Sequence, residues 1–331
     1  MWAIEVTAHG GPEVLEHRQI SDPEPGPGEV LVATRAVGVN FIDTYLREGM
    51  YPSNPPYVPG SEGAGDIVAV GSGVDPSRIG ERVAWADAPA SYAELVRVRA
   101  PRAVHLPDDV SYEQAAGVML RGMTAHYLLD GSAHPGEGDT VLLHAGAGGV
   151  GLLLTQMARD KGIRVITTVS TDEKERLSRQ AGAAEVLRYS PDLAQRVRDL
   201  TAGDGVAVAY DGVGASTFEA SLAATRVRGM IVLFGAASGP VPPFDLQRLN
   251  PAGSLSVTRP TLGHFIASDE ELNWRAGAVL GAVAEGRLQV DVSATYPLAR
   301  AADAQTDLAA RKTTGSTVLT VAGSDGAVAR Q

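Results

Sequence analysis

Residues 139–151 read DTVLLHAGAGGVG, and this stretch decides the fold. Val141, Leu142 and Leu143 form a short apolar run of buried-strand type that opens directly into glycines spaced G-x-G-x-x-G, at Gly146, Gly148 and Gly151. In that setting the first glycine permits a tight turn, the second lets backbone approach a pyrophosphate, and the third lets the next helix pack closely on the strand. The helix then offers free N–H groups and a positive dipole end to phosphates. Glycines at this spacing also occur as a plain strand-to-helix turn, so the flanking sequence has to arbitrate.

The flanks repeat a strand-and-helix rhythm for roughly a hundred residues. Val150, Leu153, Leu154 and Met157 recur at helical spacing until Gly162, and RVITTV at 164–169 predicts the next strand. A helix over 172–180, a strand at 185–187, a helix over 193–200, a strand at 206–210, a helix over 217–224 and a strand at 230–234 continue the series. Crossovers of this kind are right-handed, so the sheet is expected to be parallel and covered on both faces. The reading is an α/β, doubly wound dinucleotide-binding domain.

NAD-specific folds place an acidic residue roughly 20 positions past the glycines to hold the ribose hydroxyls. Ser170 stands there instead. Thr171 follows, Lys174 lies one helical turn further on, and Tyr189 closes the next strand. Hydroxyls and a cation fit a ribose 2′-phosphate better than a free hydroxyl pair, so NADPH is the expected cofactor. Asp172 is close enough to restore an NAD preference if it turned inward; its alternative role is to complement the dipole at the start of its helix.

The chain has 331 residues, a length suited to two domains. Its 28 basic and 39 acidic residues give −11, a charge that repels nucleic acid and anionic membranes. MWAIEVTAHGGPEVL alternates like a strand and lacks a basic segment before an apolar core, so no signal peptide is expected. No apolar run reaches the length of a membrane span, and a cytoplasmic location is expected. The absence of cysteine excludes cysteine-type zinc sites and thiol catalysis.

Residues 1–110 have a different texture, with short alternating strands and frequent Gly and Pro. Strands are expected at 30–37, 65–70, 82–86 and 92–98, with a short helix over 41–47 capped by Asn40. A helix over 112–129, opened by Ser111, leads into the parallel sheet. Beyond Phe234, a strand at 254–258 is followed by a helix started by Ser268 and Glu271 in a capping-box pattern and stopped by Gly286. A strand at 288–292, a helix over 299–310 and a strand at 316–321 complete the chain.

The runs VNFIDTYLREGMYP (39–52), PYVPGSEGAGDIVAVG (56–71), HAGAGGVG (144–151), YDGVG (210–214) and VTRPTL (257–262), taken in order, closely resemble the zinc-independent quinone oxidoreductases of the medium-chain dehydrogenase/reductase superfamily. The similarity spans nearly the whole chain. It implies a Rossmann domain at 123–260 and an N-terminal chaperonin-10-like, partly open β-barrel domain at 1–122, to which 261–331 returns. It further implies NADPH in a cleft between the domains and a homodimer joined through an edge strand, for which 254–258 is the candidate. By resemblance, Asn40, Tyr45, Thr124 and Arg259 stand near the nicotinamide, with Gly148, Gly149 and Val150 at the pyrophosphate. Ser170, Lys174 and Tyr189 face the 2′-phosphate, Phe234, Gly235 and Ser238 follow the nicotinamide-side strand, and Arg311 reaches back to the cofactor. Asn40 suits a hydrogen bond to the carboxamide or to an acceptor oxygen, and equally a helix cap. Tyr45 offers a ring face and a proton, or core packing; Tyr51 and Tyr57 wall a flat ring or simply order a Pro-rich turn. For Arg311 the alternative is an exposed helix-end cation, and for Asp211 a strand-end turn residue outweighs an acid catalyst.

Zinc relatives of the superfamily carry Gly-His-Glu where this chain has Gly60, Ser61 and Glu62. With histidine replaced and cysteine absent, neither zinc site of those relatives can form, and no histidine pair has metal spacing. His144 reads as a satisfied packing residue. Without a Lewis acid, simple carbonyls are poor hydride acceptors. A quinone, which becomes an aromatic hydroquinone anion, needs far less help, so the expected acceptor is a quinone. An enone, alkenal or enoyl-thioester reductase is the nearer alternative, and a non-catalytic NADPH-binding sensor the more distant one.

Overall fold

The computed structural model describes residues 1–321. Its contacts divide the chain into two units, Met1–Met123 with the chain from Ile266, and Thr124–Phe265. The first opens with strands β1 (Trp2–Val6), β2 (Leu15–Gln19) and β3 (Glu29–Gly38), then helix α1 (Phe41–Arg47), β4 (Gly63–Val70), β5 (Arg82–Trp85), β6 (Leu95–Arg99), β7 (Val104–His105) and most of α2 (Tyr112–Tyr127), whose last residues, from Thr124, belong to the second. The second contains β8 (Thr140–Leu143), α3 (Gly149–Asp160), β9 (Arg164–Val169), α4 (Asp172–Gln180), β10 (Glu185–Arg188), α5 (Leu193–Asp199), β11 (Val206–Asp211), α6 (Phe218–Ala224), β12 (Thr225–Leu233) and β13 (Ser256–Thr258). The returning segment supplies α7 (Asp269–Ala284), β14 (Val292–Pro297), α8 (Ala301–Ala309) and β15 (Ser316–Thr320).

In the second unit six strands run in the order β10-β9-β8-β11-β12-β13, and every pairing is parallel. Leu142, Ile166, Ala209 and Ile231, one from each of four strands, bury one face against Leu193, Val197, Phe218 and Leu222 of α5 and α6. A separate cluster of Leu152, Val169, Ala181 and Val186 packs α3 and α4. Each buried Leu, Ile, Val or Phe side chain among them contributes roughly 1.5–3 kcal/mol relative to exposure. Both faces are therefore dry, as the parallel sheet requires. The expected doubly wound architecture is present.

In the first unit β3 organises a seven-stranded sheet. One of its edges pairs antiparallel with β4; the other meets β6 through Glu29–Ala33 and then β15 through Ala36–Gly38. A ten-residue strand with three partners gathers Val30, Val32, Ile67, Val83, Trp85, Val96 and Val98 into one core. α2 begins with a reciprocal cap, Ser111 Oγ accepting from the Gln114 N–H at 3.1 Å and Gln114 Oε1 from the Ser111 N–H at 3.0 Å.

Several local expectations are corrected. The strand placed at 288–292 is absent: the Leu288 N–H donates to the Ala282 carbonyl and its buried side chain closes α7 behind Gly286 (φ 71°), so helix capping overrides strand propensity. The true strand, β14, lies at Val292–Pro297 and pairs parallel with β15. β2 was not anticipated, because its sequence LEHRQ is mostly exposed and has no apolar alternation. β12 starts at Thr225 rather than 230, through a polar TRVRG run that includes a register shift. β6 starts at Leu95, not 92, and α2 widens after Tyr127 into a π turn over Leu128–Ser132.

Candidate functional site

The glycine turn is built by close contacts. A β-carbon on Gly151 would stand 2.4 Å from the Ala145 carbonyl oxygen, and one on Gly146 would stand 2.5 Å from Thr167 Cβ. At Gly148 the nearest atom would be 3.3 Å away, so its bareness is not demanded by the protein's own packing to the same degree. Gly148 caps α3, and Gly149 and Val150 form its first turn, half-buried. The leading N–H groups of a helix lack intrahelical acceptors, and this first turn carries no acidic side chain to satisfy its dipole. The arrangement suits a pyrophosphate.

Beyond the turn, the parallel register pairs Arg188 with Val169, so Tyr189 and Ser170 leave the sheet side by side. Ser170 is exposed and Lys174 half-buried in the first turn of α4, whose cap is Thr171. The Tyr189 hydroxyl accepts the Ala145 N–H at 3.0 Å, and its ring stacks on His144 with centroids 6.1 Å apart. Asp172 is tied elsewhere: its Oδ1 accepts from Arg188 Nη2 at 2.6 Å, while Glu175 Oε2 takes the same nitrogen at 2.9 Å. The chain thus presents hydroxyls and a lysine, with the nearest carboxylate engaged by an arginine.

His144 is a satisfied core residue. Ser221 Oγ donates to Asp211 Oδ2 at 2.8 Å and must therefore accept from His144 Nε2, 3.1 Å away, leaving Nδ1 to accept from Thr168 Oγ1 at 2.9 Å. Burial pushes its imidazole below the usual pKa. Asp211 closes its turn by accepting from the Val213 and Gly214 N–H groups and the Thr217 hydroxyl. Phe234 lays its ring against Gly212, Gly235 packs on the Gly212 carbonyl, and the Ser238 hydroxyl is spent within the loop on the Ser216 N–H and Val213 carbonyl. Thr124 is buried on α2, and Arg259 is exposed just beyond β13.

In the first unit Asn40 caps α1, and Asp43 Oδ2 accepts its backbone N–H at 2.8 Å and the Tyr92 hydroxyl at 2.9 Å. The Asn40 side-chain amide donates to Glu62 Oε1 at 2.5 Å. Glu62 Oε2 accepts the Leu120 N–H at 2.7 Å, and Arg121 Nη1 lies 3.8 Å from Oε1. Burial raises the Asp43 carboxyl to about 7 and also raises Glu62, the latter opposed by Arg121, Asn40 and the Leu120 N–H. Tyr45, half-buried on α1, stacks obliquely on Phe41 and Tyr51, with centroids 6.1 and 5.9 Å away. Tyr57 is half-buried, its N–H and carbonyl paired with Val6. Arg311 is exposed at the end of α8 with φ 56°.

Sequence reasoning did not single out Arg188, Asp43, Tyr92 or Arg121, and quoted Glu62 only for its neighbour. A carboxylate followed by the small residues Gly63, Ala64 and Gly65, in SEGAGDIVAV, was the available signal for the last. Among the described residues no group of three or more His, Cys, Asp or Glu could hold a metal ion. The Glu62 oxygens are both engaged, Ser61 replaces a histidine, and the donor set does not fit zinc.

The chain matches two family profiles, "alcohol dehydrogenase GroES-like domain" over residues 26–134 and "zinc-binding dehydrogenase" over residues 149–276. It is 49% identical over 321 residues to a quinone oxidoreductase of Pseudomonas aeruginosa, covering 96% of this chain and 98% of that one. A 2-haloacrylate reductase of a Burkholderia species is 39% identical over 326 residues, at the same coverage. A mycobacterial protein solved in complex with NADPH superposes with a TM-score of 0.94 at 54% identity, over 97% of this chain and all of its own.

Proposed function

The chain belongs to the quinone oxidoreductase family of the medium-chain dehydrogenase/reductase superfamily, and from that premise we propose that it is an NADPH-dependent reductase that passes hydride to a quinone without zinc. The observation that carries the cofactor choice is the end of β9, where Ser170 and Tyr189 follow paired strand residues, Lys174 lies in the first turn of α4 and Asp172 is held on Arg188. The mycobacterial relative's NADPH agrees with it.

When bound, NADPH supplies the hydride from its nicotinamide C4. The N–H groups of Gly149 and Val150 hold the pyrophosphate at the start of α3, and Lys174 with the Ser170 and Tyr189 hydroxyls holds the 2′-phosphate. Thr124, Phe234, Gly235, Ser238, Arg259 and Arg311 complete the proposed cofactor contacts. On the barrel unit Asn40 orients the nicotinamide end, the rings of Tyr45, Tyr51 and Tyr57 wall the flat acceptor, and Tyr45 or water delivers the proton that completes the hydroquinone. Positioning of this kind can account for several kcal/mol of barrier, on the order of 7–11 in the best cases.

We assign it to the cytoplasm as a homodimer. Among the described residues no helix is long and apolar enough to cross a membrane. The dimer reading rests on β13, an edge strand with Val257 exposed, in a unit that also exposes Val227 and Leu246. Sedimentation at micromolar concentration tests it.

The functional test is NADPH oxidation against benzoquinones, naphthoquinones, alkenals and 2-haloacrylate, with NADH as control. Turnover of quinones with NADPH is the expected result. The Burkholderia relative gives the conjugated-alkene arm its place; turnover there and on no quinone would replace the quinone reading with an enone-type reductase.

A further inference from the structure

We propose that Glu62 is a positioning residue, whose carboxylate fixes the side-chain amide of Asn40 in one orientation for the nicotinamide end of the bound dinucleotide; the role rests on the NADPH reading above.

An asparagine amide is nearly symmetric in shape, so only its partners decide which end is nitrogen. An ionised carboxylate only accepts. Glu62 Oε1, 2.5 Å from Asn40 Nδ2, therefore selects the nitrogen end, and a neutral amide in its place would remove that selection and leave only the Asp43 N–H to decide. Burial raises the Glu62 carboxyl, and the Arg121 guanidinium, Asn40 and the Leu120 N–H at Oε2 oppose that in favour of the ionised form.

Stability alone does not explain the residue. Glu62 is fully buried, its cation is 3.8 Å away, and Arg121 spends its other contacts on the Val39 and Gly117 carbonyls. Apolar replacements of loosely paired buried charges are commonly neutral or stabilising. The surroundings are nevertheless shaped to admit the carboxylate. A β-carbon at Gly38 would lie 2.1 Å from Glu62 Oε1 and 2.3 Å from the Ala116 carbonyl oxygen, so the bare backbone there makes room for both. The Asn40 backbone is already fixed by Asp43, which is in turn held by Tyr92. The Asn40 side chain also takes the Asp43 N–H as the cap of α1, and Glu62 holds its nitrogen end.

The test combines Glu62→Gln with Asn40→Ala. If Glu62 acts through Asn40, Glu62→Gln slows single-turnover hydride transfer about tenfold in the native background and has no further effect beside Asn40→Ala. An equal loss in both backgrounds, or no loss at all, overturns the proposal. A second readout needs neither cofactor nor turnover: in the wild-type protein one side-chain N–H of Asn40 should resonate downfield and exchange slowly, and Glu62→Gln should abolish this. If the variant does not fold, the wild-type resonance decides, and a rapidly exchanging, unshifted amide refutes the contact. If the wild-type protein reduces no quinone, the functional reading fails while the amide signature still tests the positioning.

Discussion

Arg188 Nη2 sits 2.6 Å from Asp172 Oδ1, and this one contact ties down the carboxylate nearest the place where a ribose would bind. Asp172 is otherwise fully exposed and belongs to the first turn of α4. Exposed ion pairs add little stability, so the effect to look for is on cofactor choice. Arg188→Ala frees Asp172 for a ribose hydroxyl, while Glu175 keeps Arg179, 2.9 Å away, as its partner. The ratio of kcat/KM for NADPH over NADH should fall roughly tenfold, about 1.4 kcal/mol. Adding Asp172→Asn should restore the ratio; an unchanged ratio in the single variant removes Arg188 from the argument.

Two glycines in the same turn should fail differently. Gly151→Ala drives a β-carbon into the Ala145 carbonyl, an overpacking that costs about 1–3 kcal/mol and should lower Tm by several degrees. Gly148→Ala meets nothing closer than 3.3 Å within the protein. Its Tm should stay near wild type while NADPH binding, followed by fluorescence titration, weakens. Equal loss of Tm in both would make Gly148 a packing glycine.

Burial, opposed by the Asn40 N–H and the Tyr92 hydroxyl, raises Asp43 to about 7. An unfolded aspartate titrates near ~3.9, so between the two values the folded protein holds the extra proton. Stability therefore falls as pH climbs through that window and levels off above about 7. Asp43→Asn keeps an acceptor for both donors and removes the titration. The variant's Tm should lose this slope, and at pH 8 it should be the more stable protein, by on the order of 1–3 kcal/mol. A difference that does not depend on pH would contradict the assignment.

Tyr45 lies between Phe41 and Tyr51, a packing that Tyr45→Phe preserves. General acid catalysis contributes about 10²–10⁴-fold, so quinone turnover should drop by at least the lower figure and change its pH dependence. Unchanged turnover across pH would leave water as the proton source and Tyr45 as a ring wall alone.

The parallel unit was legible because each of its elements is locally encoded. RVITTV is β9 to the residue, DEKERLSRQ is α4 to the residue, and the glycines mark the turn between β8 and α3. The barrel unit was less so. β14 was displaced because Leu288, apolar and strand-like in sequence, serves the end of α7. At the candidate site, the sequence pointed to Ser170 and Tyr189 by type and position and to Asn40 by resemblance. It could not pair Asp172 with Arg188, 16 residues on, or Asn40 with Glu62, 22 residues on.

By itself, then, the sequence determined the alternation of strand and helix, the glycine turn at Gly146–Gly151, and the absence of cysteine. These follow from hydrophobic period, backbone freedom at glycine and residue chemistry, all of which act over a few positions. Only the tertiary structure decided which carboxylates are available and which are consumed. Asp172 and Glu62 are both ordinary acidic residues in the chain. One became an ion-pair partner on the surface and the other a buried acceptor, because hydrogen-bond partners and desolvation are set by segments that meet only on folding.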